Sequence, residues 1–462
     1  MVILIFRIIA MNLLESLKDF LYIPYDELEE KNLLAKEKQV DRSKRDDERL
    51  ENEYRKYLTE EKRIKAVTIC FSDIEGRFHM LDYDKKYFLN NADNLIFDGS
   101  FVRGFSVVTE SDLKLKIDWA SFYWVPADIF GPGKIIIFAD IYDRTGNPHS
   151  MGFRAKLKKM SDELYKKDKT IAYAANETEG FLMEGRDAEI NFDEDKGFKF
   201  VSSGGYYHSL PKDTLKVFID TVAETQRAMG FANEKDHAEV APSQFELTYQ
   251  YSDVVRASDQ VQLYKLVSRQ VAENMGMTAS FLPKPFIGIN GSGMHTNLSL
   301  SKNGKNIFYN SKDENNFSKF GYDFIDKILA SAAEISLILN SSVNAHRRLD
   351  PVFEAPNQIK CSAVDRTSMI RLPFGNRNST RIEVRSVRER TKTLPGNIYD
   401  STRIFKESEV VSKLFGEEFK EKFRALKKAQ SDMCPRELGK KIKRAEVIYH
   451  HEITNQYLWN EF

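Results

Sequence analysis

The spacing of apolar and polar residues changes at residue 66. Before it, residues 12–65 have helical character, and the run 36–62 mixes Lys, Arg, Asp and Glu with few apolar positions. Such a run predicts a solvated helix face, with partial disorder over 35–46 as the alternative. From Ala66 the sequence AVTICF begins β-rich chain, and strand-like runs at 66–71, 105–108 and 134–138 are separated by Gly, Asp and Pro turns. This predicts a small sheet-rich domain over 66–150. The segment FRAKLKKMSDELYKKD, from Phe153, has the period of an amphipathic helix with a basic outer face, and helices and strands mix after it. There is no internal repeat or low-complexity tract.

At 462 residues the chain is long enough for two or three domains and a large core. Its 69 Lys and Arg balance 69 Asp and Glu, which argues against a protein held on nucleic acid by bulk charge. Three widely spaced cysteines, Cys70, Cys361 and Cys434, suit neither a disulfide scaffold nor a thiolate metal site, and point to a reducing, cytoplasmic setting. The first ten residues, MVILIFRIIA, are too few to span a bilayer, which needs about 20 apolar residues, and they lack a signal peptide's basic region and cleavage site. With Met11 following at once, they read as an upstream alternative start or as a short packing segment. No other stretch has the character of a membrane span.

Four segments carry chemistry. Glu177-Thr178-Glu179 lies in the apolar run 171–183. On a strand its two carboxylates share a face, and charges that close raise each other's pKa unless a cation sits beside them. In 239–246, EVAPSQFE, Gln244, Glu246 and Thr248 alternate with Phe245, Leu247 and Tyr249, as a two-faced strand broken at Pro242 requires. In 290–299, NGSGMHTNLS, glycines allow close backbone approach to a ligand, and His295, Asn297 and Ser299 share a face. In RIEVR, Arg381, Glu383 and Arg385 share a face and need partners if buried; Arg348, Glu354, Arg366 and Arg371 lie upstream. Taken singly, an exposed acidic strand and a structural histidine explain the first and third segments. Together, five Glu and one His suit hard divalent cations and the arginines suit phosphate and carboxylate, the inventory of metal-assisted phosphoryl transfer.

The ordered set ETE, EVAPSQFE, NGSGMH, RRLDPVFEAP, DRTSMIRLP and RIEVR closely resembles the glutamine synthetase family. The resemblance starts at DGSFVRGF (98–105), takes in GGYY (204–207) and QLYKLVSRQVAENMGMTASFLPKPF, and continues to Arg385, about two thirds of the chain. It implies an α+β fold: a charged helical segment over 1–65, a small β-grasp-like N-terminal sheet domain over 66–150, and a large catalytic α+β domain over 151–462. In the last, a curved sheet would form a metal-lined funnel. Two or three Mg²⁺ or Mn²⁺ ions would bind there, one held by Glu179, Glu239 and Glu246 and another by Glu177, His295 and Glu383.

By the same resemblance, Asn290, Gly291, Arg348 and Arg385 would hold glutamate, with Glu354 on a closing flap. Arg366 and Arg371 would meet the transferring phosphates of ATP, the co-substrate. Tyr251 and Arg381 would sandwich adenine, and Glu234 and Ser299 would make other nucleotide contacts. Asp98 and Tyr206 would bind and help deprotonate ammonium, Asp98 reaching a neighbouring subunit's site in a homo-oligomer, a dodecamer of two hexameric rings.

The chain departs from the family pattern at several positions. Phe101 replaces a Ser, and it either walls the ammonium pocket or points into the small domain's core, the plainer reading. Asn297 replaces a His, Asn378 a Lys and Val352 a Gly, and the tail after 386 diverges. The leading expectation is a cytoplasmic ligase making glutamine through a γ-glutamyl phosphate intermediate. The alternatives are a γ-glutamyl ligase for an organic amine or polyamine, and a catalytically weak homologue with a regulatory or structural role.

Overall fold

Val67, Ile69 and Phe71 alternate with Thr68 and Cys70, yet all five are buried, because β1 (Ala66–Ser72) is an interior strand. It pairs antiparallel with β2 (Phe78–Asp84) and parallel with β5 (Lys134–Tyr142). With β3 (Leu95–Asp98) and β4 (Asp112–Trp124) they form a five-stranded sheet of order β2-β1-β5-β4-β3. The computed structural model describes residues 21–40, 47–192, 197–209, 213–313, 315–349, 355–356, 358–385 and 395–432. The expectations for residues 1–10, the 41–46 run, Val352, Glu354 and the chain just after 385 lie outside the described residues. The chain divides into two units, one reaching residue 155 and including 222–232, the other holding 156–221 and the chain from 233 onward.

In the first unit the charged N-terminal run is more than a solvated face. Leu50, Tyr54 and Leu58, four residues apart on the Asp47–Glu60 helix, are buried, and the Tyr54 ring stacks on Phe122 of β4 at 4.4 Å. The Tyr25–Val40 helix is tied down by Asn32, whose amide donates to the carbonyls of Trp124 and Ala228 while its oxygen accepts from the Trp124 amide. Both ends of a buried carboxamide are therefore paired, as burial requires.

The strand expected at 105–108 is absent. Gly104, at φ +81°, turns the chain there, and residues 99–101 and 108–110 form 3₁₀ turns between β3 and β4. Apolar content suggested a strand, but Val107 and Val108 are exposed. Phe101 is 86% exposed, so it does not belong to the small domain's core.

The second unit is built on a ten-stranded sheet whose main path runs β13-β14-β15-β11-β6-β8-β7. Its strands are β6 (Thr170–Glu184), β7 (Asn233–Ala238), β8 (Gln244–Tyr249), β9 (Ser252–Asp253), β10 (Met277–Ser280), β11 (Met294–Lys302), β12 (Lys305–Asn306), β13 (Gln358–Ser362), β14 (Ser368–Arg371) and β15 (Ile382–Val384). Apart from β13 with β14, its strands pair antiparallel. Helices Val254–Asn274 and Lys319–Leu339 supply buried apolar faces; Ile325 and Ala332 of the second join Met369, Ile370 and Ile382 in one core cluster. Among the described residues no helix is long and apolar enough to cross a membrane.

Candidate active site

Strand register brings the acids together. β11 pairs with β6 so that His295 lies opposite Glu177, and with β15 so that Asn297 lies opposite Glu383. β8 pairs with β6 so that Glu246 lies opposite Glu179. Alternation then turns Glu177, Glu179, Glu246, His295 and Glu383 to one cavity of about 350 Å³, with Glu239 from the turn between β7 and β8. That turn closes through Ser243 at φ +60°.

Among the described residues, two groups offer ligand atoms lying within 4.8 Å of one another: Glu177, His295 and Glu383, and His237, Glu239 and Glu246. The first is one of the two expected sets. In the second, His237 appears and Glu179 does not; Oε2 of Glu179 accepts from the Gly293 amide at 2.7 Å and from Gln244 Nε2 at 3.1 Å. His237 Nε2 stands 3.5 Å from Glu246 and its Nδ1 3.8 Å from Glu239. Sequence reading passed over His237 because it precedes the EVAPSQFE motif; its place two residues before Glu239 on an alternating strand was the available signal.

The donor set fits hard divalent cations. Burial, then the neighbouring Glu179, Glu177 and Glu239 carboxylates, push Glu246 up to about 10, so these acids crowd one another without a cation. Burial also works against ionised Glu177, but His295 and the Asn297 amide outweigh it and hold the carboxyl at about 2. His295 Nδ1 lies 3.7 Å from Glu177 and 3.5 Å from Glu383.

Cations line the cavity together with the acids. Arg348, Arg366, Arg371, Arg381 and Arg385 all line the same cavity. Arg371 and Arg385 are already partnered, each donating to Glu383. Among the described residues, the Nε of buried Arg348 has no partner, and burial lowers the pKa of Arg348. The glycines beside it serve this packing: a Cβ on Gly293 would lie 2.5 Å from Arg348 Nη2, and one on Gly291 2.2 Å from the Pro283 carbonyl. Close approach is thus to the protein's own guanidinium and backbone.

Asn290 and Gly291 line the cavity, as do Tyr206 and Tyr207. The two tyrosine rings stack at 3.8 Å, Tyr206 donates its hydroxyl to Tyr207, and burial and that bond raise the Tyr206 pKa. A second cavity, of about 180 Å³, holds Glu234, Tyr251, Ser299, Arg381 and Asn378, and shares Glu177, Lys235, Thr248 and Arg381 with the first. Lys235 and Tyr207 were not singled out from sequence. Asp98, in the first unit, is exposed and its Oδ1 accepts from the Ser100 amide and hydroxyl.

Fold and site together define an enzyme class in which clustered acids and imidazoles able to hold divalent cations share one cavity with guanidiniums. Comparison with known proteins narrows it. Residues 63–144 match the family profile "Glutamine synthetase, beta-Grasp domain" and residues 152–391 match "Glutamine synthetase, catalytic domain". A Thermotoga maritima glutamine synthetase is 34% identical over 332 residues, 72% of this chain and 74% of its own, and a Staphylococcus aureus glutamine synthetase is 33% identical over 71% and 73%. The chain belongs to the glutamine synthetase family, ligases that use ATP and divalent metal ions. In fold it is similar to a Plasmodium falciparum glutamine synthetase (TM-score 0.72, 18% identity, 88% of this chain and 98% of that one) and to a structure titled as a GmaS/ADP complex (0.71, 22%, 87% and 97%). The β-grasp and curved-sheet domains expected from sequence are those of this family.

Proposed function

We propose that the chain makes glutamine from glutamate, ATP and ammonia. One observation carries this reading: acids grouped as cation ligands would be and five arginines line a single cavity that shares residues with a second one lined by Glu234, Tyr251 and Ser299. Arg348 and Arg385, with Asn290 and Gly291, hold glutamate by its charged ends. A γ-carboxylate oxygen attacks the terminal phosphorus of ATP, the bond to ADP breaks, and γ-glutamyl phosphate forms. Divalent cations, when bound by the two clusters and Glu179, offset phosphate charge and polarise its oxygens. Arg366 and Arg371 supply guanidinium donors where charge spreads over the phosphoryl oxygens. Tyr251 and Arg381 flank adenine, with Glu234 and Ser299 beside the nucleotide. Tyr206 and the Asp98 that a neighbouring subunit contributes attract ammonium, that Asp98 takes one of its protons, and the ammonia nitrogen displaces phosphate from the acyl carbon, its further proton leaving with the phosphate. Glu354 closes the site. The domain limits 66–150 and 151–462 and a cytoplasmic, dodecameric double ring belong to the same reading; light scattering of the purified chain tests the assembly.

A second reading, a γ-glutamyl ligase for an organic amine, is favoured by one feature. An exposed aromatic, Phe101, stands three residues from Asp98 where the family usually has Ser. Phosphate release from ATP with glutamate and Mg²⁺, across ammonium and a panel of alkylamines and polyamines, separates the two. Ammonium outcompeted by an alkylamine at equal concentration overturns glutamine synthesis; no phosphate release with any amine overturns both.

A further inference from the structure

Asn297 lines the smaller cavity and bonds two residues, Glu177 and Arg381, that line both. It is 5% exposed on β11, opposite Ala175 of β6 and Glu383 of β15. Its Nδ2 donates to Glu177 Oε1 at 2.8 Å, and its Oδ1 accepts from Arg381 Nε at 2.8 Å. Chemistry fixes that orientation, since an ionised carboxylate only accepts and a guanidinium only donates. Both ends of the carboxamide are thus committed to charged partners, the stronger kind of hydrogen bond. Glu177 belongs to one cation cluster, while Arg381, which like Glu177 lines both cavities, also donates to the Ser379 carbonyl at 3.2 Å.

We propose that Asn297 is a positioning residue that couples occupation of the smaller cavity to the geometry of the Glu177–His295–Glu383 cluster. The proposal rests on the reading of that cavity as the adenine side of a nucleotide site. When Arg381 turns toward a base it either carries the Asn297 carboxamide with it or releases it. Either way the amide that donates to Glu177 moves or loses the anchor at the other end of its carboxamide, and the Glu177 carboxylate is free to re-aim relative to a cation. Coupling of this kind is reciprocal: if the nucleoside changes cation affinity, the cation changes nucleoside affinity by the same factor.

The test is Mn²⁺ titration of the full chain by electron paramagnetic resonance, with and without saturating adenosine, which carries no phosphate to ligate the metal. Asn297→Ala is expected to weaken Mn²⁺ binding roughly 10–100-fold, the usual effect of losing a partner behind a metal ligand. It should also abolish adenosine's effect on Mn²⁺ affinity. Arg381→Ala should change Mn²⁺ affinity at least about twofold where Asn297 is present and not at all in the Asn297→Ala background. Arg381 is only partly buried, so its truncation reads the relay even if the Asn297 variant fails to fold. Unchanged Mn²⁺ affinity in Arg381→Ala, or strictly additive effects of the two substitutions, overturns the relay. An unmodified chain that shows the coupling but forms no glutamine removes the proposed reaction and leaves the relay standing.

Discussion

Replacing Glu383 with Ala removes a carboxylate that is 1% exposed and accepts from Arg371 at 2.7 Å and from Arg385 at 2.5 Å, with His295 Nδ1 3.5 Å away. The Arg385 side chain is 10% exposed and has little access to replacement water, whereas Arg371, at 27%, regains some. Removing one member of a buried ion pair costs about 3–5 kcal/mol. Counting two charge-assisted hydrogen bonds at about 1.5–3 kcal/mol each gives a similar figure. Glu239→Ala also deletes a cluster acid, but it relieves Glu246 of one of the carboxylates that push it up to about 10, so its cost without metal should be smaller. The assay is denaturant unfolding followed by circular dichroism, in chelator and in Mn²⁺. In chelator Glu383→Ala should unfold at clearly lower denaturant than the unmodified chain, and Glu239→Ala near it. Saturating Mn²⁺ at a hundred times its Kd should add about 2.7 kcal/mol to the unmodified chain and less to either variant. Equal midpoints for Glu383→Ala and the unmodified chain in chelator would refute the ion-pair reasoning. Undiminished Mn²⁺ stabilisation in either variant would remove that residue from the ligand set.

What the sequence showed was governed by alternation. Because side chains on a strand point to opposite faces in turn, Glu177 with Glu179, His295 with Asn297 and Ser299, and Arg381 with Glu383 and Arg385 could each be put on one face from spacing alone. Which faces meet is a matter of register, and register between strands more than a hundred residues apart, such as Glu177 opposite His295, leaves no local mark. The resemblance supplied that long-range information. Where it pointed elsewhere, pairing decided: His237 reaches Glu246 because β7 pairs with β8 so that the two lie opposite each other. Arg371 and Arg385 were expected to meet substrate, and nothing in the sequence says that both also brace Glu383. The error at 105–108 has a plain cause. Three apolar residues in four look like a strand, but Gly104 permits a turn that leaves Val107 and Val108 in solvent.

Arg366→Ala should lower kcat roughly 10²–10³-fold while leaving the glutamate KM nearly unchanged, if its charge serves, as proposed, when the phosphoryl group transfers; a raised KM with unchanged kcat would put it in the amino-acid pocket instead. Gly293→Ala places a Cβ 2.5 Å from Arg348 Nη2, and buried Arg348 has little room to yield. Such a displacement is worth up to about 10²-fold in kcat/KM for glutamate, and an unaltered value would show that Arg348 does not hold that substrate. The acceptor side turns on Asp98 and Phe101. Asp98→Ala should raise the ammonium KM strongly while calorimetry still shows ATP and glutamate binding, because it removes the carboxylate proposed to attract ammonium and accept its proton. Phe101 is 86% exposed, so Phe101→Ser should change the unfolding free energy by no more than about 0.5 kcal/mol, as exposed substitutions do. That leaves its effect on amine choice readable without a folding defect. If Phe101 walls the acceptor pocket, the smaller hydroxyl-bearing side chain should shift the ratio of ammonium to alkylamine kcat/KM and leave glutamate-dependent ATP binding alone. An unchanged ratio would show that this ring takes no part in choosing the amine, and the case for an organic acceptor would lose the observation that favours it.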